Sequence, residues 1–410
     1  MRIIQRLGVV AACLGGLTTS SVQAQWEQVE PPELKAPSEW AGLLALGPRD
    51  VWAAGSEDGH DGVSWSYEPG AKNAGRPVLQ RWDGSRWART VIGRRFQVSA
   101  FDADGPDDAW VVGNHPIDAS QERAYTYHWD GARWREIGLL SAEEGRVHDV
   151  ATDRGQVVLL GRDRNDYATG PRDTSLGYRS FALSWDGRQT RVAVGREGTF
   201  ESVDSGAGHT WIAGAKPRRN CDGIVPAIWH RPAPDSPFEE VKLPLVPDGH
   251  LVKVRQNSPS DVWAVGTVGY SEKPEFMAWS YEPWTACRAT GPWTYPFFHY
   301  QGAPGFRPLV LHWDGTAWRR MELPDWQGGL LDVTASAAGG MWAVGHDPAH
   351  ADRLMIVHYD GRRWTREYVR TGEVYDAVLA QVPGTDQLWL IGQAASESKR
   401  GDVMFRRRAR

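Results

Sequence analysis

Cysteine is scarce: of 410 residues only three are cysteine, at positions 13, 221 and 287. Long apolar runs are scarce too. Outside the N-terminus no run of eighteen apolar residues occurs, which excludes a transmembrane helix in the remainder of the chain. Charge of one sign is lacking as well, with Lys+Arg 46 against Asp+Glu 51 and a formal net charge of −5, which becomes −7 if Arg2 and Arg6 are removed with their segment. A mildly acidic balance of this kind leaves no footprint for nucleic acid. Helical periodicity is missing throughout. What the chain has instead is tryptophan, 22 of them, with 45 glycines and 41% hydrophobic residues, which is far too aromatic for a disordered polymer.

The first 24 residues have the layout of an export signal: Arg2 and Arg6 supply the charge, Leu7 to Leu17 the apolar run, and Val22-Gln23-Ala24 a small-residue cleavage site ahead of Gln25. A rival reading takes Val10-Ala11-Ala12-Cys13 as a lipobox with a lipidated Cys13. In the first reading the mature chain is residues 25–410; in either, the protein leaves the cytoplasm for the periplasm or the medium, anchored at Cys13 in the second. Only Cys221 and Cys287 then remain as an ordinary pair, and in an oxidising compartment an even pair favours a disulfide over a metal site or a nucleophile.

Repetition dictates the fold. One phrase recurs seven times, as Trp52-Ala-Ala-Gly55, Trp110-Val-Val-Gly113, Val158-Leu-Leu-Gly161, Trp211-Ile-Ala-Gly214, Trp263-Ala-Val-Gly266, Trp342-Ala-Val-Gly345 and Trp389-Leu-Ile-Gly392. A second phrase follows it in most units: Trp82-Asp-Gly84 with Trp87, Trp129-Asp-Gly131 with Trp134, Trp185-Asp-Gly187, Trp313-Asp-Gly315 with Trp318, and Tyr359-Asp-Gly361 with Trp364. Asp-Gly between alternating apolar runs signals a tight hairpin. A further short apolar run precedes each first phrase, such as Leu330 to Thr334, so each unit holds four strands. Units of about 45 residues built this way are propeller blades. The expectation is an all-β, seven-bladed β-propeller forming a single domain. The seventh unit ends at its third strand, and Gln25 to Pro31 matches the missing fourth, so the N-terminal strand should close the last blade.

The blades resemble those of kelch-type propellers, best at Val357-His-Tyr359-Asp-Gly-Arg-Arg-Trp364, although the doubled glycine usual there is single here, at Gly55, Gly266 or Gly345. The chain is more similar still to secreted bacterial repeats with Asp261-Val-Trp-Ala-Val-Gly266 and Trp313-Asp-Gly315 phrases. Such a resemblance implies the fold and leaves the function open.

Repeated residues are read as packing: Trp52, Trp110, Trp211, Trp263, Trp342 and Trp389, and the equivalent histidines His128, His312 and His358. Function is sought where the repeat breaks. The connections between second and third strands open on the top face, and two are long, 56–77 in blade 1 and 267–308 in blade 5. They share Trp65-Ser-Tyr67-Glu68-Pro69 and Trp279-Ser-Tyr281-Glu282-Pro283, and both return through Arg-Pro, at Arg76-Pro77 and Arg307-Pro308. Blades 1 and 5 lie across the ring. Two aromatic flaps with Trp284, Trp293, His299 and Tyr300 nearby would flank the channel mouth, because loops of this length are commonly functional. On the first strands, one aligned position holds Asp149, Lys253, Asp332 and Asp376, with Glu201 near it and Ala100 and Gly42 in blades 2 and 1. These carboxylates are read as solvated charges, the alternative being a structural cation in the channel; no other cofactor is expected.

Three functions compete. The reading adopted is a monomeric, non-catalytic binding protein for a glycan or a protein partner. The second is a polysaccharide lyase or glycoside hydrolase using His60, Tyr67, Glu68, Tyr281, Glu282 and His299 for acid and base work. The third is a copper radical oxidase like galactose oxidase, for which Cys287 near Tyr295 and His299 is the only support. A run at Ser202-Val-Asp204-Ser-Gly206 resembles the sialidase Asp box but is too long and sits between the wrong strands.

Overall fold

The computed structural model describes residues 26–30, 34–35, 38–59, 74–116, 122–138, 146–163, 179–192, 198–218, 224–269, 281–283, 294–296, 305–337, 339–394 and 402–408. Seven four-stranded antiparallel sheets are arranged as a seven-bladed β-propeller. The first, innermost strands are Glu39–Gly47, Gln97–Gly105, Arg146–Asp153, Thr199–Gly206, Gly249–Ser258, Gly329–Ala335 and Val374–Gln381. Each is followed by its second strand, from Asp50–Glu57 in blade 1 to Leu388–Ala394 in blade 7. The last sheet is completed by Trp26–Val29, which pairs with Val403–Arg407 in the register Trp26↔Arg407 to Val29↔Met404. The N-terminal strand therefore closes the ring.

The second strands lie in the middle of each sheet, covered on both faces, and for that reason read as unbroken apolar runs such as Val51-Trp-Ala-Ala54. The core is divided into seven clusters, one for each seam between blades. Trp52, Phe96 and Val111 fill the seam of blades 1 and 2, while Trp40, Val51, Trp389 and Met404 fill the seam of blades 7 and 1. The repeated tryptophans Trp52, Trp211, Trp263 and Trp389 are at most 2% exposed, so they are packing residues as expected.

The equivalent histidines have a structural job too. His128, His312 and His358 stack on Trp110, Trp263 and Trp342 at 4.4, 4.0 and 3.7 Å between ring centroids. In blade 1 the same register position is Arg81, whose guanidinium lies 4.8 Å over Trp52. A flat polar group on each tryptophan shields the indole at the blade's bottom edge. The Asp-Gly turns there have glycine in the left-handed region, for example Gly315 at φ 89°, and Asp314 caps the turn by accepting from the Thr316 and Ala317 amides.

Candidate functional site

The innermost strand of every blade is a sheet edge, with amides facing the central channel that have no partner within their own sheet. Side chains of the preceding blade cap many of them. Asp102 accepts from the Thr152 amide at 2.8 Å, Asp149 from Val203 at 2.9 Å, Asp204 from Gln256 at 2.6 Å, and Asp332 from Leu379 at 2.8 Å. Nearer the top, Ser56, Asn114 and Ser180 accept from Val98, Val147 and Phe200. Adjacent blades are thus stitched side chain to backbone.

This overturns the reading of the channel carboxylates as solvated charges: Asp149 is 6% and Asp332 3% exposed. The alignment is corrected as well. Asp149, Lys253 and Asp332 do share one register position, with Ala100 and Gly42, but its occupant in blade 4 is Ser202 and in blade 7 Val378. Glu201 falls in the bulge of its strand. Asp376 sits two residues nearer the top, because the bulge of blade 7 lies between Val374 and Asp376.

Two cations from blade 5 occupy the space between these acids. Lys253 reaches past blade 4 to within 3.4 Å of Asp149, and Arg255 donates to Asp204 at 2.9 Å. Burial pushes Asp102 up to about 7, with Arg255 opposing and Asp204 adding to the shift. Asp376 is pushed up to about 6 by burial, with Asp332 and Glu39 adding to it. Burial likewise raises Asp204 and Asp332, against the pull of Arg255 and Lys253. Burial disfavours the charge of Arg255, but Asp204, Asp332, Asp102 and Asp149 outweigh it and raise its pKa. Among the described residues no group of three His, Cys, Asp or Glu is placed to hold a metal ion. Asp102, Asp204 and Arg255 were missed in the sequence. They stand two residues beyond the position that was singled out, and Lys253-Val-Arg255 carried the signal, since alternate residues of a strand share a face.

At the channel's upper mouth Glu39 accepts from the Tyr375 hydroxyl at 3.1 Å and from the Gln97 side-chain Nε2 at 2.6 Å, and His250 lies 3.7 Å from Glu201. Asp402, close to Glu39, is pushed up to about 6, chiefly by burial. The two long inserts leave the blades from this end. Their roots match in register, Glu57↔Arg76 in blade 1 and Val268↔Arg307 in blade 5. The first root is held by Arg95, which bonds Asp58 and the carbonyl of Ala74. The second is held by Arg307, 3.0 Å from Asp325.

His60, Trp65, Tyr67, Glu68, Trp279, Trp284, Trp293, His299, Tyr300, Cys221 and Cys287 lie outside the described residues, as do residues 1–25 with Cys13. Tyr281 and Glu282 lie in a hairpin within the blade 5 insert, Tyr281–Pro283 against Thr294–Pro296, for which the backbone alone is described. Among the described residues no helix is long and apolar enough to cross a membrane.

No family model matches the chain, and no curated protein sequence matches it. Among solved structures it is similar to YCF48 bound to D1 peptide, at 12% identity and a TM-score of 0.51 over 94% of this chain and 96% of that one. It is similar to an ulvan lyase of polysaccharide lyase family PL25, at 9% identity and a TM-score of 0.51 over 92% and 95%. A third is an extracellular domain of BT4673 from B. thetaiotaomicron, at 10% identity and a TM-score of 0.50; 93% of this chain covers 39% of that one, well under two thirds of its length. At such identities the likeness establishes the fold alone, and that fold, a seven-bladed β-propeller, serves among these neighbours both a peptide-bound protein and a polysaccharide lyase.

Proposed function

We propose that this protein is an exported, kelch-like propeller that binds a glycan or a protein partner at its top face, without catalysis, through the flaps 56–77 and 267–308. Residues 1–24 are read as its signal and 25–410 as one domain. The observation that supports this is the common rooting of the two flaps, at matching register on the second and third strands of blades 1 and 5. Residues shared by all blades are accounted for by the seven seams, whereas Trp65, Tyr67, Glu68, Trp279, Tyr281 and Glu282 belong to two blades only. Aromatics that stack on a ligand contribute about 1 to 3 kcal/mol each in base-stacking systems.

A Tyr67→Ala, Tyr281→Ala double variant should therefore bind the ligand found on a glycan array about tenfold or more weakly, at an unchanged melting temperature. If the variant unfolds instead, the flaps are core and the reading falls. Cys221 and Cys287 stand on the second-to-third-strand connections of neighbouring blades 4 and 5, and a disulfide between them would pin the larger flap. Mass spectrometry that found two free thiols in the exported protein would remove that bridge.

A further inference from the structure

Beside the root of the blade 5 flap, blade 6 carries a polar cluster that neither the repeat nor the channel explains. At its centre is Asp347, whose side chain is 5% exposed and which directly follows the second strand of the blade, Met341–His346. Its carboxylate accepts from the Tyr368 hydroxyl at 2.5 Å, from Nδ1 of His350 at 3.3 Å, from Arg366 at 3.3 Å and from the Ala349 amide at 2.9 Å. The Arg366 guanidinium lies between two rings, 5.0 Å over Trp326 and 5.2 Å over Tyr368, and its remaining nitrogens bond no other described residue. Trp326 belongs to the connection entering blade 6, and that connection holds the flap's return: the Gly328 amide donates to the Phe306 carbonyl at 2.7 Å, and Asp325 pairs with Arg307.

The chemistry of the cluster is complementary to a particular ligand. Stacking and the Asp347 contact fix the orientation of the guanidinium, so little further freedom is lost when its open edge takes a second carboxylate. His350 is 38% exposed at its side chain. A carboxylate can only accept, so Nδ1 of His350 donates to Asp347, and Nε2 is the ring's other polar atom, which this contact does not use. A guanidinium and an imidazole side by side on one carboxylate, with aromatic rings next to them, suit a molecule bearing a carboxylate next to hydroxyl groups.

We propose that this seam between blades 5 and 6 is a subsite for an acidic sugar, with Arg366 binding the carboxylate of a uronic acid and His350 hydrogen-bonding a ring hydroxyl through Nε2. The proposal deepens the top-face binding reading and rests on it for the rest of the glycan. Asp347 and Tyr368 act as positioning residues.

The test is calorimetric titration of the full-length mature protein with an oligogalacturonate and with the same oligosaccharide after reduction of its carboxyl groups. The wild type should bind the charged form about tenfold or more tightly, and the preference should shrink as salt is raised. Arg366→Gln should abolish the preference, and Arg366→Lys, which keeps the charge and loses the planar fork, should reduce it. Equal binding of the two sugars by the wild type, binding of neither, or an undiminished preference in both Arg366 variants would overturn the proposal. The Tyr67→Ala, Tyr281→Ala variant separates the two claims. If it binds both sugars as the wild type does while Arg366→Gln loses the preference, the flap reading fails and the subsite stands.

Discussion

Asp102 shows how a single residue can hold a seam and strain it at once. Its carboxylate caps the Thr152 amide, yet burial raises its pKa from 3.8 to about 7. A carboxyl raised by folding binds its proton more tightly in the native state, so its contribution to stability falls as pH rises from about 4 to about 7. The half-buried imidazoles of His230 and His358, lowered to about 4 chiefly by desolvation, pull the other way as pH falls through 6. The Asp102 effect is therefore read as a difference between variant and wild type. Asp102→Asn keeps an oxygen for the Thr152 amide and removes the charge. Calorimetry should find it more stable than the wild type at pH 8, with the gain fading toward pH 5. A variant less stable than the wild type at pH 8 would mean that the charge itself, through Arg255, holds the seam.

The glycine that ends each recurring phrase, inside the second strand, belongs to the scale of the strand pair. In blades 1 to 6 it faces the bulge of the innermost strand, and a Cβ there would overlap a backbone carbonyl: that of Glu39 at Gly55, Gln97 at Gly113, His250 at Gly266 and Gly329 at Gly345. In blade 7 the bulge is displaced, and a Cβ on Gly392 would meet nothing nearer than a Val403 methyl group at 3.1 Å. Gly266→Ala should accordingly destabilise by about 1–3 kcal/mol or more, the scale of overpacking, while Gly392→Ala should cost less than about 1 kcal/mol. Denaturant titration of the two variants compares them directly. Equal losses would mean that the bulge is not the reason for the glycine. The same bulges explain why spacing misaligned Asp376, since one extra residue shifts a strand's register without leaving a mark in the sequence.

For the whole molecule, closure is the dominant fact. Seven seams bury one another's tryptophans in a circle, so opening any one exposes two sheet faces. The N-terminal strand completes blade 7: Glu27 pairs with Arg406 and Arg408 of the same blade at 3.0 and 2.8 Å, Trp26 donates to Glu367 of blade 6 at 2.9 Å, and Val29 packs into the seam of blades 7 and 1. Deleting residues 25–31 should lower the melting temperature far more than deleting residues 409–410. An unchanged melting temperature would show that the ring holds without its closing strand.

The repeats by themselves determined the seven blades, the closing strand and the packing role of the tryptophans, because those follow from local alternation, Asp-Gly turns and a phrase that recurs in every unit. Only the tertiary structure decided what the channel is. Whether Asp149 is bathed in water or capped on the Val203 amide depends on the neighbouring blade, 54 residues away in the chain. Lys253 and Arg255 likewise acquire their partners only when the ring brings blades 3, 4 and 5 around one axis. The Asp347 cluster was hidden for the same reason. Asp347, His350, Arg366 and Tyr368 share no motif, and they meet because the loop after the second strand of blade 6 reaches the fourth strand, with the third between them in the sheet.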